Sequence, residues 1–151
     1  YTLSSTLGLK GIDETSDGGY ILCGIDHSSN NGDVYVMKTD GSGNEEWSKS
    51  IGGSGYENSD VVYETSDGGF VIAGRTESSG AGSTDVFLVK LDSSGNEVWS
   101  KTYGGEEVDV AYDMKITPEG GYVLTGYTQS FGNGSNDVYM IKTNENGNRI
   151  F

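Results

Sequence analysis

The sequence is poor in several residue types. Its 151 residues include one cysteine, one histidine and one proline, and nine Lys and Arg stand against 23 Asp and Glu. A single Cys cannot close an internal disulfide, and one Cys with one His cannot build a Cys/His zinc centre. A formal net charge of −14 disfavours neutralising nucleic-acid phosphates or sitting on an anionic membrane. No apolar run reaches the roughly 18 residues that a membrane helix needs, so no membrane insertion is expected. Only 33% of residues are hydrophobic, which alone would raise the question of disorder. The two Trp, ten Tyr and four Phe argue otherwise. They sit in short clusters parted by Gly, Ser, Asn and Asp, the texture of an all-β chain with many turns. The 25 Gly follow no three-residue period, which excludes collagen. Residue 1 is Tyr and no charged-then-apolar leader stands before it, so a processed, trimmed or partial product is expected.

What the chain does contain is repetition. Thr15-Ser16-Asp17-Gly18-Gly19-Tyr20 returns as Thr65-Ser66-Asp67-Gly68-Gly69-Phe70 and, loosened, as Thr117-Pro118-Glu119-Gly120-Gly121-Tyr122. Asp33-Val34-Tyr35-Val36-Met37-Lys38 returns as Asp85-Val86-Phe87-Leu88-Val89-Lys90 and as Asp137-Val138-Tyr139-Met140-Ile141-Lys142. Gly43-Asn44 with Trp47, Gly95-Asn96 with Trp99, and Gly147-Asn148 with Phe151 form a third set. Asp33 to Asp85 and Asp85 to Asp137 are each 52 positions, whereas Thr15 to Thr65 is 50. The deficit falls in residues 25–32, two shorter than 75–84 and 127–136. Loops absorb such length changes. The chain divides into repeat 1 (1–50), repeat 2 (51–102) and repeat 3 (103–151), together a single segment.

One unit reads as four antiparallel strands. In the middle copy these are 59–64, 70–76, 85–91 and 97–103. Asp-Gly and Gly-Gly supply the tight turn at 65–69, and 92–96 form another. The second and third strands are nearly continuous apolar runs, as expected of strands buried on both faces. Four-stranded units repeating at about 40–50 residues are the signature of an all-β propeller, here with three blades visible. The pattern of TSDGGY, then Asp-Val-Tyr with Lys, then Gly-Asn with Trp, resembles a repeat of long exported or surface-attached bacterial and archaeal proteins. That resemblance covers essentially the whole chain and implies a propeller fold without specifying an activity. The stretch Leu91-Asp92, Gly95 and Trp99 is also similar to the tryptophan-docking turn of quinoprotein propellers, one residue shorter between Asp and Gly. No motif for a quinone site accompanies it. Three blades are too few for a ring of about 4–8. Further blades, or further copies of the chain in a homo-oligomer, are expected to complete it.

Residues common to all three units read as structural. Trp47, Trp99 and Phe151 are expected to pack between blades, and Lys38, Lys90 and Lys142 to be paired. Cys23 aligns with Ala73 and Thr125 and reads as a small buried residue. The turn acids Asp40 and Asp92 invite a calcium reading, since hard cations want several oxygens. They lack the spacing of a helix-flanked calcium loop, and Asp favours turns for its own backbone bonding. Asn133-Gly134-Ser135 is an N-glycosylation acceptor pattern, weak support for export.

What varies between units lies in the loops between the second and third strands and between successive units. Tyr56, Glu57, Asn58, Arg75, Glu106, Glu107, Asp109, Tyr127 and Phe131 stand out there, with His27. They are expected to form an acidic, aromatic rim that takes a glycan or a protein ligand. The leading expectation is a non-catalytic binding or structural module of an extracellular or cell-surface protein, with no cofactor or else calcium. The alternatives are a carbohydrate-active propeller enzyme using Glu57, Glu106, Glu107 and Asp109 as carboxyl pairs, and a calcium-stabilised scaffold.

Overall fold

A computed structural model describes residues 6–28 and 31–151. Residues 1–5 of the first unit, and 29 and 30 of its short loop, lie outside the described residues. The described chain is all-β: strands joined by turns and bends, without helices. The strands are β1 (Leu7–Glu14), β2 (Tyr20–Asp26), β3 (Asp33–Thr39), β4 (Glu45–Ile51), β5 (Glu57–Glu64), β6 (Phe70–Thr76), β7 (Asp85–Leu91), β8 (Glu97–Tyr103), β9 (Asp109–Ile116), β10 (Tyr122–Thr128) and β11 (Asp137–Thr143). They form three antiparallel sheets in which every strand pairs with its sequence neighbour: β1-β2-β3-β4, β5-β6-β7-β8 and β9-β10-β11. We number them sheets 1, 2 and 3.

Three strands of the middle unit begin and end where the turn residues predict. The first starts earlier, at Glu57, because Glu57 and Asn58 pair with Thr76 and Arg75. The third sheet departs from the expected four strands. Its fourth segment has only residues 149–151 where β4 and β8 have seven, and it is limited to a Thr143–Arg149 bridge and hydrogen bonds to Lys142. The first strand of each sheet carries a bulge, at Lys10, Asp60 and Tyr112 respectively. A bulge sharpens local twist.

Packing is between sheets. Ile21, Cys23, Val34 and Val36 of sheet 1 meet Val62, Phe70, Ile72, Val89 and Leu91 of sheet 2. The other face of sheet 2, with Val71, Ala73, Val86 and Leu88, meets Met114, Tyr122, Leu124, Tyr139 and Ile141 of sheet 3. Alternate residues of β6 thus serve two cores, which is why that strand reads as one apolar run. Each fully buried large side chain contributes roughly 1.5–3 kcal/mol. Aromatics staple the joints. Trp47 lies 5.6 Å from Phe70 and Trp99 lies 6.1 Å from Tyr122, centroid to centroid. Trp47 also fits under Gly95 in the turn of sheet 2 (φ +78°), and a β-carbon there would approach its ring to 2.8 Å. Trp99 repeats the fit under Gly147. Phe151 is exposed.

The two end sheets leave opposite faces uncovered, sheet 1 the one that carries Ile12 and Tyr20. In sheet 3, Val138 is 89% and Met140 50% exposed. Their counterparts in sheets 1 and 2 (Val34 and Val36, Val86 and Leu88) are completely buried.

Candidate functional site

The repeated turns tie the first hairpin of a sheet to its third strand. Thr65 N–H donates to Gly69 O, and Gly68 N–H to Thr65 O. The Thr65 hydroxyl (2.6 Å) and Gly69 N–H (3.1 Å) donate to Asp67 Oδ1, which also takes Lys90 Nζ at 3.0 Å. The Thr65 hydroxyl, ahead of Lys90 and Gly69, holds the Asp67 pKa down to about 2 against the opposing effect of burial. Thr15, Asp17, Gly19 and Lys38 repeat this arrangement. Lys38 has a further acidic partner, Glu46, at 2.8 Å. Burial opposes its charge, but Glu46 and Asp17 outweigh that and raise its pKa.

Between sheets 1 and 2 this region is lined by acids. Glu64 accepts from the Ser16 N–H (2.7 Å) and hydroxyl (2.9 Å), and Glu46 takes the ammonium of Lys38. Between sheets 2 and 3 the corresponding residues are Ile116 and Val98, which can do neither. A cleft of about 440 Å³ opens there, lined by Asp67, Lys90, Val98, Trp99, Ile116 and Tyr122 among others. Lys90 donates to Asp67 and to Leu91 O. An ammonium has three donors, so one has no partner among the described residues. An apolar wall with a few convergent polar groups is the usual character of a small-ligand site. Sequence comparison of the units contains the signal, in Glu46 against Val98 and Glu64 against Ile116. Two single-residue differences inside otherwise repeated strands are a fainter signal than loops of variable length.

The loop residues divide. Arg75 stacks over the Tyr56 ring at 5.6 Å. Tyr127 lies 5.9 Å from Tyr112, and Phe131 lies 5.8 Å from Tyr139. Glu106, Glu107 and His27 are exposed. Glu57, Asn58 and Asp109 do not belong to a solvated rim: they are buried at the starts of β5 and β9. Glu57 accepts from Gly53 N–H, the Thr76 hydroxyl and Ser78 N–H. Burial opposes its charge, but these donors prevail and its pKa is lowered. Asp109 accepts from Gly105 N–H and the Ser130 hydroxyl. Short backbone turns supply those donors, so both acids are drawn inward. Of the four acids expected to supply carboxyl pairs, only Glu106 and Glu107 face solvent.

Asp40 and Asp92 are occupied by their own turns. Asp40 accepts from Ser42 N–H, Asn44 N–H and Asn44 Nδ2, and Asp92 accepts likewise from Ser94 and Asn96. Bonds from Asn44 lower the Asp40 pKa, and bonds from Asn96 that of Asp92. Cys23 is buried, and desolvation pushes its thiol pKa up to about 11.

No protein-family model matches the sequence, and no curated protein matches it. A solved structure of a protein of unknown function from Bacteroides caccae is similar over 100% of this chain and 68% of its own, at 9% identity and a TM-score of 0.40.

Proposed function

We propose that the chain is a non-catalytic binding and structural module of propeller type, belonging to an exported or cell-surface protein. The observation that carries the binding role is the cleft between sheets 2 and 3. Two acids that line the equivalent joint are replaced there by Val98 and Ile116, leaving an apolar wall beside Asp67 and a Lys90 N–H without a partner among the described residues. Such a wall with both hydrogen-bond signs suits a glycan. A glycan array with the intact chain tests this. The paired change V98E/I116E restores the acids of the first joint, and it is expected to abolish the glycan signal while leaving the fold intact. A signal that survives the double variant places the ligand elsewhere.

The sheets act as blades. Each joint brings the same positions together, and Val138 and Met140 of sheet 3 present again the surface that Val86 and Leu88 bury. Continuity with that joint favours a further unit of the same repeat as the occupant, from this chain's parent or from another copy. Large exposed apolar patches are otherwise rare on soluble monomers. Light scattering of the 151-residue chain is expected to give a multiple of its mass. A stable monomer at all concentrations would leave the copy-completed ring without support.

A further inference from the structure

At the other end of the joint between sheets 2 and 3, two buried acids converge on the backbone of Gly104. A β-carbon on Gly104 would overlap Asp85 Oδ1 and approach Asp109 Oδ2 to 2.7 Å. The carboxylates therefore stand within a few ångströms of each other. Asp85 is 1% and Asp109 0% exposed. Asp85 Oδ2 accepts from Gly82 N–H at 3.0 Å. Asp109 Oδ2 accepts from Gly105 N–H at 2.8 Å and the Ser130 hydroxyl at 2.6 Å. The other oxygen of each, Oδ1, is buried without a partner among the described residues. No ion pair reaches either acid among the described residues. Leaving two adjacent buried carboxylates uncompensated is costly.

The first joint provides an internal control. Asp33 and Glu57 stand beside Gly52 as Asp85 and Asp109 stand beside Gly104. Glu57 is longer by one methylene, and both its oxygens are used. Oε1 takes the Thr76 hydroxyl at 2.7 Å and Ser78 N–H at 3.1 Å, and Oε2 takes Gly53 N–H at 2.8 Å. Asp109 is too short to do the same. Thr128, like Thr76, accepts from a backbone N–H two residues on, but the hydroxyl that Asp109 takes is that of Ser130. The shorter acid leaves a buried carboxylate oxygen without a donor among the described residues, where Glu57 has a donor on each oxygen.

We propose that Asp85 and Asp109 hold a hard divalent cation, calcium by preference, against the Gly104 backbone. Two carboxylates balance a charge of two, and calcium accepts irregular oxygen shells where magnesium demands a near-ideal octahedron. Among the described residues no group of three or more acidic, His or Cys side chains is gathered, so backbone carbonyls and water complete the shell. The carbonyls of Gly105 and Glu107 crowd Gly82, one hydrogen bond from Asp85. The site is separate from the turn acids Asp40 and Asp92, whose oxygens are occupied.

Isothermal titration of the chelator-stripped 151-residue chain with calcium chloride tests this, alongside melting curves. A single class of site is expected. At a hundredfold excess over Kd the melting temperature is expected to rise by about 5–10 °C. Asp85→Asn removes a ligand charge. Asp109→Glu places here the acid of the first joint, whose oxygens both have donors, and is expected to fold as well as the parent, while binding calcium at least tenfold more weakly. Asp40→Asn is expected to leave binding unchanged. Absence of both heat and melting shift at millimolar calcium overturns the proposal. So does undiminished binding in Asp109→Glu.

Discussion

Residues Val36, Leu88 and Met140 occupy one repeat position in three settings, and truncating the last two measures what a neighbouring sheet is worth. Leu88 is completely buried between sheets 2 and 3, whereas Met140 is half exposed on the outer face of sheet 3. Leu88→Ala removes buried methyl groups and leaves a cavity that two packed sheets cannot readily collapse. The expected cost is about 3 kcal/mol, within the usual range for a buried leucine. For a chain of this size that lowers Tm by about 6–12 °C. Met140→Ala removes a side chain that still meets water, and its expected cost is about 1 kcal/mol or less. Urea unfolding followed by tryptophan fluorescence reads both, with the denaturant slope checked for constancy. The comparison belongs at a dilution low enough for scattering to give the mass of one chain. Equal losses for the two variants in a proven monomer would refute the claim that the outer face is uncovered. A Met140→Ala cost that grows with protein concentration would instead show a second copy burying that face.

Two further outcomes follow from the turns. Asp67 titrates at about 2 in the folded chain, below its ordinary unfolded value, so it stabilises fully above roughly pH 4 and that contribution is lost as pH falls toward 2. Asp67→Asn is expected to flatten this part of an acid-unfolding curve while lowering stability at neutral pH, and a curve parallel to the parent's would refute the assignment. Gly95→Ala forces a side chain onto φ +78° and against the Trp47 ring. The expected loss is about 1–3 kcal/mol, read as a lower urea midpoint, and an unchanged midpoint would show that the tryptophan does not dock there.

The strands were legible because their signals are local. Gly-Gly and Asp-Gly turns delimit them, and the alternation of β6 between two cores leaves an unbroken apolar run. The fourth segment of sheet 3 was overestimated because Gly147-Asn148 and Phe151 match the other units even though few residues follow the turn. Glu57, Asn58 and Asp109 were misplaced for a different reason. Each is polar and follows a glycine-rich stretch, so it reads as loop, but strand pairing and backbone donors from neighbouring turns draw it inside. The cleft was hidden because its walls come from two sheets distant in sequence. Val98 and Ile116 are unremarkable residues until Glu64 is seen bridging the first joint to Ser16 and Glu46 is seen holding Lys38 within sheet 1.

Within each sheet every strand hydrogen-bonds to its sequence neighbour, and the cores lie between successive sheets. Such a chain behaves less like a globule than like a short stack of coupled tiles. The middle tile is held on both sides, so its amides in β6 and β7 should be the last to exchange with solvent, while damage to one outer tile must pass through it to reach the other. The same layout makes the seams, at residues 52–56 and 104–108, the natural places for duplication, exchange or recombination of units. An altered number of repeats can then arise in one step without any strand losing its hydrogen-bonding partner.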